Sequence, residues 1–288
     1  MALRPDILTN LHDLAANGGI PLHPGAGSDA LRRVEEGTKL RNEARKDLIR
    51  HEYGTAYRTT VFGSARLHRD TPEYEFVRNM SQSLVEATSA DIITGRGEGI
   101  MTAAHEGAAL AGRPQAAKTP AETSTGRVVL ASTSEVLAAE RSRSDPRRFG
   151  INIKLPWEQG QNEHVTHGII FDEFPERIQH FIDMSHGAYT APGGLGSALE
   201  LLTILQLKQV GHLESDFPVV VHPIWEGLVN WAKTELHDKR VETGAQPYIS
   251  EGDIAITLSD DIPEIVDVFV AHKKNWQENI GSKVKRVN

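Results

Sequence analysis

From Tyr57 onward, short runs of β-branched and apolar residues alternate with amphipathic stretches, and this alternation narrows the possible folds sharply. Tyr57–Phe62, Ile92–Thr94, Val128–Leu130, Ile151–Leu155, Ile169–Phe171, Tyr189–Ala191, Pro218–His222 and Ile254–Leu258 have the composition of strands. Between them, Pro72–Ala87, Ile100–Ala111, Pro175–Met184, Ala198–Val210, Trp225–His237 and Ile262–Lys274 have helical character. In the first of these, Phe76, Met80 and Leu84 recur four apart, as one face of a helix requires. Strands alternating with helices imply parallel βαβ units. The runs are short and nearly all apolar, as strands covered by helices on both faces are. The expected class is α/β, with a doubly wound parallel sheet.

The region before Tyr57 reads differently. It is polar and helical, broken by Pro21, Pro24, Gly25 and Gly27, with Ser28 or Asp29 as an N-cap for a charged helix. The expected organisation is an N-terminal helical extension over 1–53, one main domain over 54–276 and a polar tail over 277–288. The chain has no cysteine, which removes disulfides, thiolate catalysis and cysteine-based zinc sites. No apolar run approaches the ~20 residues of a membrane span, and the N-terminus lacks a basic-then-apolar signal pattern. A soluble, cytoplasmic protein with no membrane partner is the simplest reading. A net charge of −8 argues against binding a nucleic-acid polymer, which needs Lys and Arg to neutralise phosphates. It does not oppose one small anion, which backbone N–H groups can hold.

The strongest local feature is Pro192-Gly193-Gly194-Leu195-Gly196-Ser197-Ala198-Leu199-Glu200, between an expected strand and an expected helix. Glycines let the backbone approach a ligand closely. The N–H groups of a first helical turn have no intrahelical acceptor, so a phosphate there gains several charge-assisted hydrogen bonds. The plainer reading is a tight turn with Ser197 as helix cap. Glu200, one turn further on, either complements the helix dipole or faces a cationic centre, such as a ribose losing its base. Arg177, in Phe174-Pro175-Glu176-Arg177, is either a solvated arginine or a bidentate clamp on a carboxylate or phosphate. Two further glycine turns, Gly63-Ser64-Ala65-Arg66 and Gly95-Arg96-Gly97-Glu98-Gly99, are individually weak signals. All three turns open at the carboxyl edge of one parallel sheet, where ligands of open α/β sheets bind.

The loop resembles the PGGxGTxxE signature of the LONELY GUY (LOG) family of nucleoside 5′-monophosphate phosphoribohydrolases. Fourteen residues lie between Arg177 and Pro192, which is the family's spacing for its catalytic arginine. Phe62–Arg66 and Thr94–Met101 look like the family's first two βα turns, and Asn152–Gln159 like its middle strand and following turn. The chain is similar also to bacterial nucleotide 5′-monophosphate nucleosidases, which share the Thr-Gly-x-Gly-x-Gly turn. The likeness runs from about Tyr57 to Gly211. It implies a Rossmann-like fold, a dimer or higher homo-oligomer joined through the helices after two glycine turns, and release of a free base and ribose 5-phosphate without a cofactor. It implies Arg177 and Glu200 as catalytic residues. It also implies nucleotide contacts from Gly63, Ser64, Gly97, Gly99, Met101, Glu158, Gly193, Gly194, Leu195, Gly196 and Ser197. Ser197 replaces the usual threonine, Ile178 stands where cytokinin-activating members have lysine, and Gln206 where they have threonine.

Three other function classes are open to the sequence. A nucleotide-binding or carrier protein of the same fold would bind without cleaving, and fold does not separate the two. A decarboxylase would need pyridoxal phosphate on a lysine, for which Lys154 and Lys208 lie near the site segments without a supporting motif. A dinucleotide-dependent oxidoreductase is disfavoured because Gly95–Gly99 lacks the full GxGxxG form. The acid that protonates the leaving base is Glu158, Asp172 or Glu173. The thirteen histidines are scattered, and His180 and His186 lack a third ligand, so no metal is expected.

Overall fold

The computed structural model describes residues 56–111, 145–154 and 160–285, together with Ile49, with side chains given as far as residue 278. The chain divides into two compact units, Met1–Glu52 and Tyr53–Asn288. The expected N-terminal helical extension and the strand Val128–Leu130 lie outside the described residues.

The second unit is built on seven parallel strands: β1 (Arg58–Phe62), β2 (Asp91–Thr94), β3 (Arg148–Ile153), β4 (His167–Phe171), β5 (Ala188–Thr190), β6 (Val219–Val221) and β7 (Thr257–Leu258). Their order in the sheet is β4-β3-β2-β1-β5-β6-β7. The chain therefore winds outward from β1 to one edge, returns to the other side of β1, and winds outward again. That is a doubly wound Rossmann-like α/β sheet. Its topological switch point lies between β1 and β5, which pair in register Thr60↔Ala188, Val61↔Tyr189 and Phe62↔Thr190.

Helices follow the strands: α1 (Pro72–Thr88), α2 (Ile100–Leu110), α3 (Phe174–Met184), α4 (Leu195–Gln209), α5 (Glu226–Lys233), α6 (Lys239–Glu242) and α7 (Ile262–Lys285). Sequence chemistry sets their limits. Thr71 caps α1 by accepting from the Tyr74 N–H, Pro72 opens the first turn, and Ser89 ends the helix in a left-handed conformation with φ 52°. One sheet face, through Val61, Ile92, Tyr189 and Val220, packs with Tyr74, Met80, Leu84, Ile100, Ala104 and Phe269 into a closed core. On the opposite face Phe62 meets Phe181 of α3 edge-on, with ring centroids 5.3 Å apart.

Three expectations shift. β3 begins at Arg148, not Ile151, because ladder pairing with β2 and β4 carries Gly150 in register with Thr94 and Gly168. The helix expected over Trp225–His237 is a 3₁₀ turn (Pro223–Trp225), α5, a π-helical turn (Thr234–Asp238) and α6. α7 runs on past Lys274 to Lys285.

Candidate active site

The site assembles at the switch point, where three glycine turns meet. The Ser64 N–H donates to the Pro192 carbonyl at 3.0 Å, tying the turn after β1 to the turn after β5. The Ile100 N–H donates to the Ser64 carbonyl at 3.0 Å, adding the turn after β2. These contacts are close enough to demand glycine. A Cβ on Gly99, whose φ is +70°, would stand 2.4 Å from the Ser64 carbonyl oxygen, and one on Gly63 would lie 2.4 Å from the Ile100 side chain. Gly97 is buried within the second turn.

α4 starts at Leu195 with Gly194 as N-cap, and no side chain caps it. The plainer reading of Ser197, as the helix cap, therefore does not hold. It sits in the first turn, buried, beneath Gly193, where a Cβ would meet its Oγ at 2.2 Å. The helix begins three residues earlier than expected because the extended backbone of Gly194 serves as its boundary. The first intrahelical donor is the Ala198 N–H, to the Gly194 carbonyl. The N–H groups of Leu195, Gly196 and Ser197 precede it, the donors that a helix start leaves for a ligand. Gly194, Leu195 and Gly196 face solvent, with Leu195 90% exposed, so the turn is open.

Arg177 and Glu200 come together beside this turn. Arg177 lies in the first turns of α3, its N–H bonded to the Glu173 carbonyl. One guanidinium nitrogen, Nη1, stands 3.3 Å from Glu200 Oε1, and Nε donates to the Ile151 carbonyl of β3 at 3.3 Å. The guanidinium also lies 4.8 Å from the Phe181 ring centroid and 5.7 Å from that of Phe174. The two charged side chains are only 12% and 13% exposed. Burial pushes the Glu200 carboxyl up to about 7, with Arg177 pulling it back through charge and hydrogen bonding. Met101 closes the group from the second turn: a Cβ on Gly95 would meet Met101 Sδ at 2.2 Å and Arg177 Nη2 at 3.7 Å. Glu158 lies outside the described residues. Asp172 is exposed and pairs with Lys154 at 3.8 Å, and Glu173 is the exposed N-cap residue of α3.

Two lysines weighed above do not converge on the turn. Lys208 is one residue from the end of α4, roughly 20 Å from the turn at 1.5 Å per residue. Its Nζ donates to the Phe217 carbonyl at 3.2 Å. Lys154 is exposed beside Asp172. Among the described residues, no group of three or more His, Asp or Glu is placed to hold a metal. His180 packs on Phe171, and His186 stacks on Tyr57.

Residues 130–261 match a family model described as "Possible lysine decarboxylase". The matched span includes Arg177, the Pro192–Ser197 turn and Glu200. No curated protein matches this chain. Among solved structures, the chain is similar to the molybdenum cofactor carrier protein of Chlamydomonas reinhardtii, at 14% identity and a TM-score of 0.44, over 76% of this chain and 98% of that one. It is similar also to the molybdenum cofactor binding protein of Rippkaea orientalis, at 14% identity and a TM-score of 0.45, over 75% and 97%.

Sequence reasoning missed the supports of the site. Trp225 donates its indole N–H to the Ala191 carbonyl at 2.9 Å and so steadies the entrance to the turn. Asn162, 3% exposed, bonds to the second glycine turn, and fully buried His105 bonds to Asn162. No local pattern announces either; both act across the fold.

Proposed function

We propose that the LOG-like domain hydrolyses the N-glycosidic bond of a nucleoside 5′-monophosphate. The observation that carries this reading is the buried Arg177–Glu200 pair, 3.3 Å apart, beside an open, uncapped helix start. The 5′-phosphate binds the N–H groups of Leu195, Gly196 and Ser197. That leaves the sugar toward Glu200. As the C1′–N bond breaks, C1′ becomes electron-poor, and the ionised Glu200 carboxylate stabilises it and orients the attacking water. Water adds to C1′, one of its protons is released, and the leaving base takes up a proton. The products are the free base and ribose 5-phosphate. Asp172, Glu173 and Glu158 remain the candidate acids for the base. Arg177 holds Glu200 in place and opposes its protonation. No cofactor enters this reaction.

The test is a panel of AMP, GMP, CMP and UMP with chromatographic detection of free base. Release of base from at least one supports the reading. Tight nucleotide binding with no cleavage of any of the four supports the alternative, a nucleotide-binding or carrier protein of this fold.

We also propose a homodimer. Leu195, Leu199 and Leu202 are exposed at helical spacing along α4, an apolar stripe that a second copy would cover. Leu199→Glu with Leu202→Glu gives a monomer in sedimentation if this face is the contact. An unchanged sedimentation coefficient places the contact elsewhere. Among the described residues no helix is long and apolar enough to cross a membrane, and a cytoplasmic location is the proposal that goes with the reading.

A further inference from the structure

The second glycine turn is held from behind by side chains that no sequence motif marks. The Asn162 side-chain amide donates to the Gly97 carbonyl at 3.1 Å and the Arg96 carbonyl at 3.3 Å, while its backbone N–H donates to the Arg96 carbonyl at 3.0 Å. Its Oδ1 accepts from the His164 N–H at 3.2 Å. The amide is thus read at both ends, donors toward the turn and acceptor toward its own loop.

The Gly97 and Arg96 carbonyls and the His164 N–H set that orientation, and His105 packs against the same amide. Its Nε2 lies 3.1 Å from the Phe149 carbonyl, which can only accept, so the proton sits on Nε2. Nδ1 is then an acceptor, 3.3 Å from the Asn162 side-chain nitrogen and 3.4 Å from its Oδ1. A flipped Asn162 amide would set its oxygen against the Gly97 and Arg96 carbonyls and its N–H groups against the His164 N–H. Desolvation also holds His105 in its neutral form, pushing it down to about 4.

We propose that Asn162, backed by His105, is a positioning residue for the nucleotide site: it aims the Gly95–Gly99 turn at the sugar and base. Phe149 lies two residues before Ile151 on β3, and the Ile151 carbonyl holds Arg177. One strand therefore anchors both the lock and the catalytic arginine. On the other side of the turn, Gly95 packs against Met101 and Arg177. A loose turn leaves Met101 free to move away from the guanidinium. The phosphate turn after β5 has its own tie through Trp225 and takes no bond from Asn162; it meets the second turn only through Ser64.

This proposal rests on the hydrolase reading, and its test separates the two. Selective labelling with ¹⁵N-glycine gives amide resonances that report each turn with no need for activity. Asn162→Ala and His105→Leu should shift the Gly95, Gly97 and Gly99 resonances and leave Gly193, Gly194 and Gly196 in place. His105→Gln, which can donate to Phe149 and accept from Asn162, should restore the wild-type positions. In kinetics, Asn162→Ala should lower kcat/KM for the best nucleotide on the order of 10²-fold, while the Kd for inorganic phosphate stays constant. Unmoved Gly95 and Gly97 resonances in folded Asn162→Ala would overturn the proposal. So would equal shifts at both turns, which would mark a merely structural role. If either variant fails to fold, the other supplies the same comparison, and Asn162→Asp, with no donors to offer the turn, serves as the third. A wild-type protein that cleaves no nucleotide defeats the hydrolase reading, and the resonances still decide the positioning claim.

Discussion

Arg177 Nη1 stands 3.3 Å from Glu200 Oε1, while Nε of the same guanidinium donates to the Ile151 carbonyl. One planar group thus links β3 to α4 across the mouth of the sheet, held beside the Phe181 ring. A lysine has the charge without the fork and cannot reach both acceptors. Arg177→Lys should lower kcat on the order of 10²-fold, with a smaller change in KM because the proposed phosphate site is on another turn. Steady-state kinetics on the best nucleotide of the panel checks this. A wild-type kcat would show that a point charge is enough.

The rate should follow the ionisation of Glu200. Its carboxyl titrates near 7 in the free protein, raised by burial and opposed by Arg177. The ionised form stabilises the cationic sugar, so kcat/KM should rise with pH below about 7 and level off above it, tenfold per unit on the acid limb. An acid limb near the ordinary carboxylate range would mean that another group controls the reaction.

The same shift predicts a pH-dependent stability. The folded state holds the Glu200 proton more tightly than the unfolded chain, whose carboxyl titrates near 4.5. This contribution is complete below that lower value and is lost as pH rises through 7. Glu200→Gln has no such proton. The wild type should therefore lose stability relative to Glu200→Gln between pH 5 and pH 8, by on the order of 1–3 kcal/mol. Urea denaturation of both proteins across that range measures the difference, and a constant gap would contradict the raised carboxyl.

Gly99 and Gly194 should respond very differently to alanine. Gly99 has φ +70° and would place a Cβ 2.4 Å from the Ser64 carbonyl oxygen. Gly194 has an extended backbone and open space around the added atom. Gly99→Ala should cost on the order of 1–3 kcal/mol from the backbone alone, while Gly194→Ala should leave the thermal midpoint within a few degrees of wild type. Equal effects would mean that the three turns are not held as tightly as their hydrogen bonds imply.

The parts of this fold that were legible in the sequence are those with local causes. The strands and helices from Tyr57 onward follow from apolar runs and helical spacing, and the open turn follows from three glycines between a strand and a helix. The pairing of Arg177 with Glu200 could be anticipated only through a family spacing, since twenty-two residues separate them. The competing reading of Ser197 as a helix cap arises because a serine near a helix start looks like one, whereas the boundary is set by the backbone of Gly194. Gly150 hid the start of β3 because a glycine weakens a strand pattern, yet ladder bonds on both sides keep it extended. Asn162, His105 and Trp225 were invisible because each acts on a backbone group far along the chain.

The central claim is that Glu200 acts on the reacting sugar while the turn after β5 holds the phosphate. Its most direct test is Glu200→Gln, assayed for release of free base and, by calorimetry, for nucleotide affinity. The account predicts base release reduced by at least about 10²-fold with a Kd close to wild type. Wild-type release of base from Glu200→Gln would contradict it.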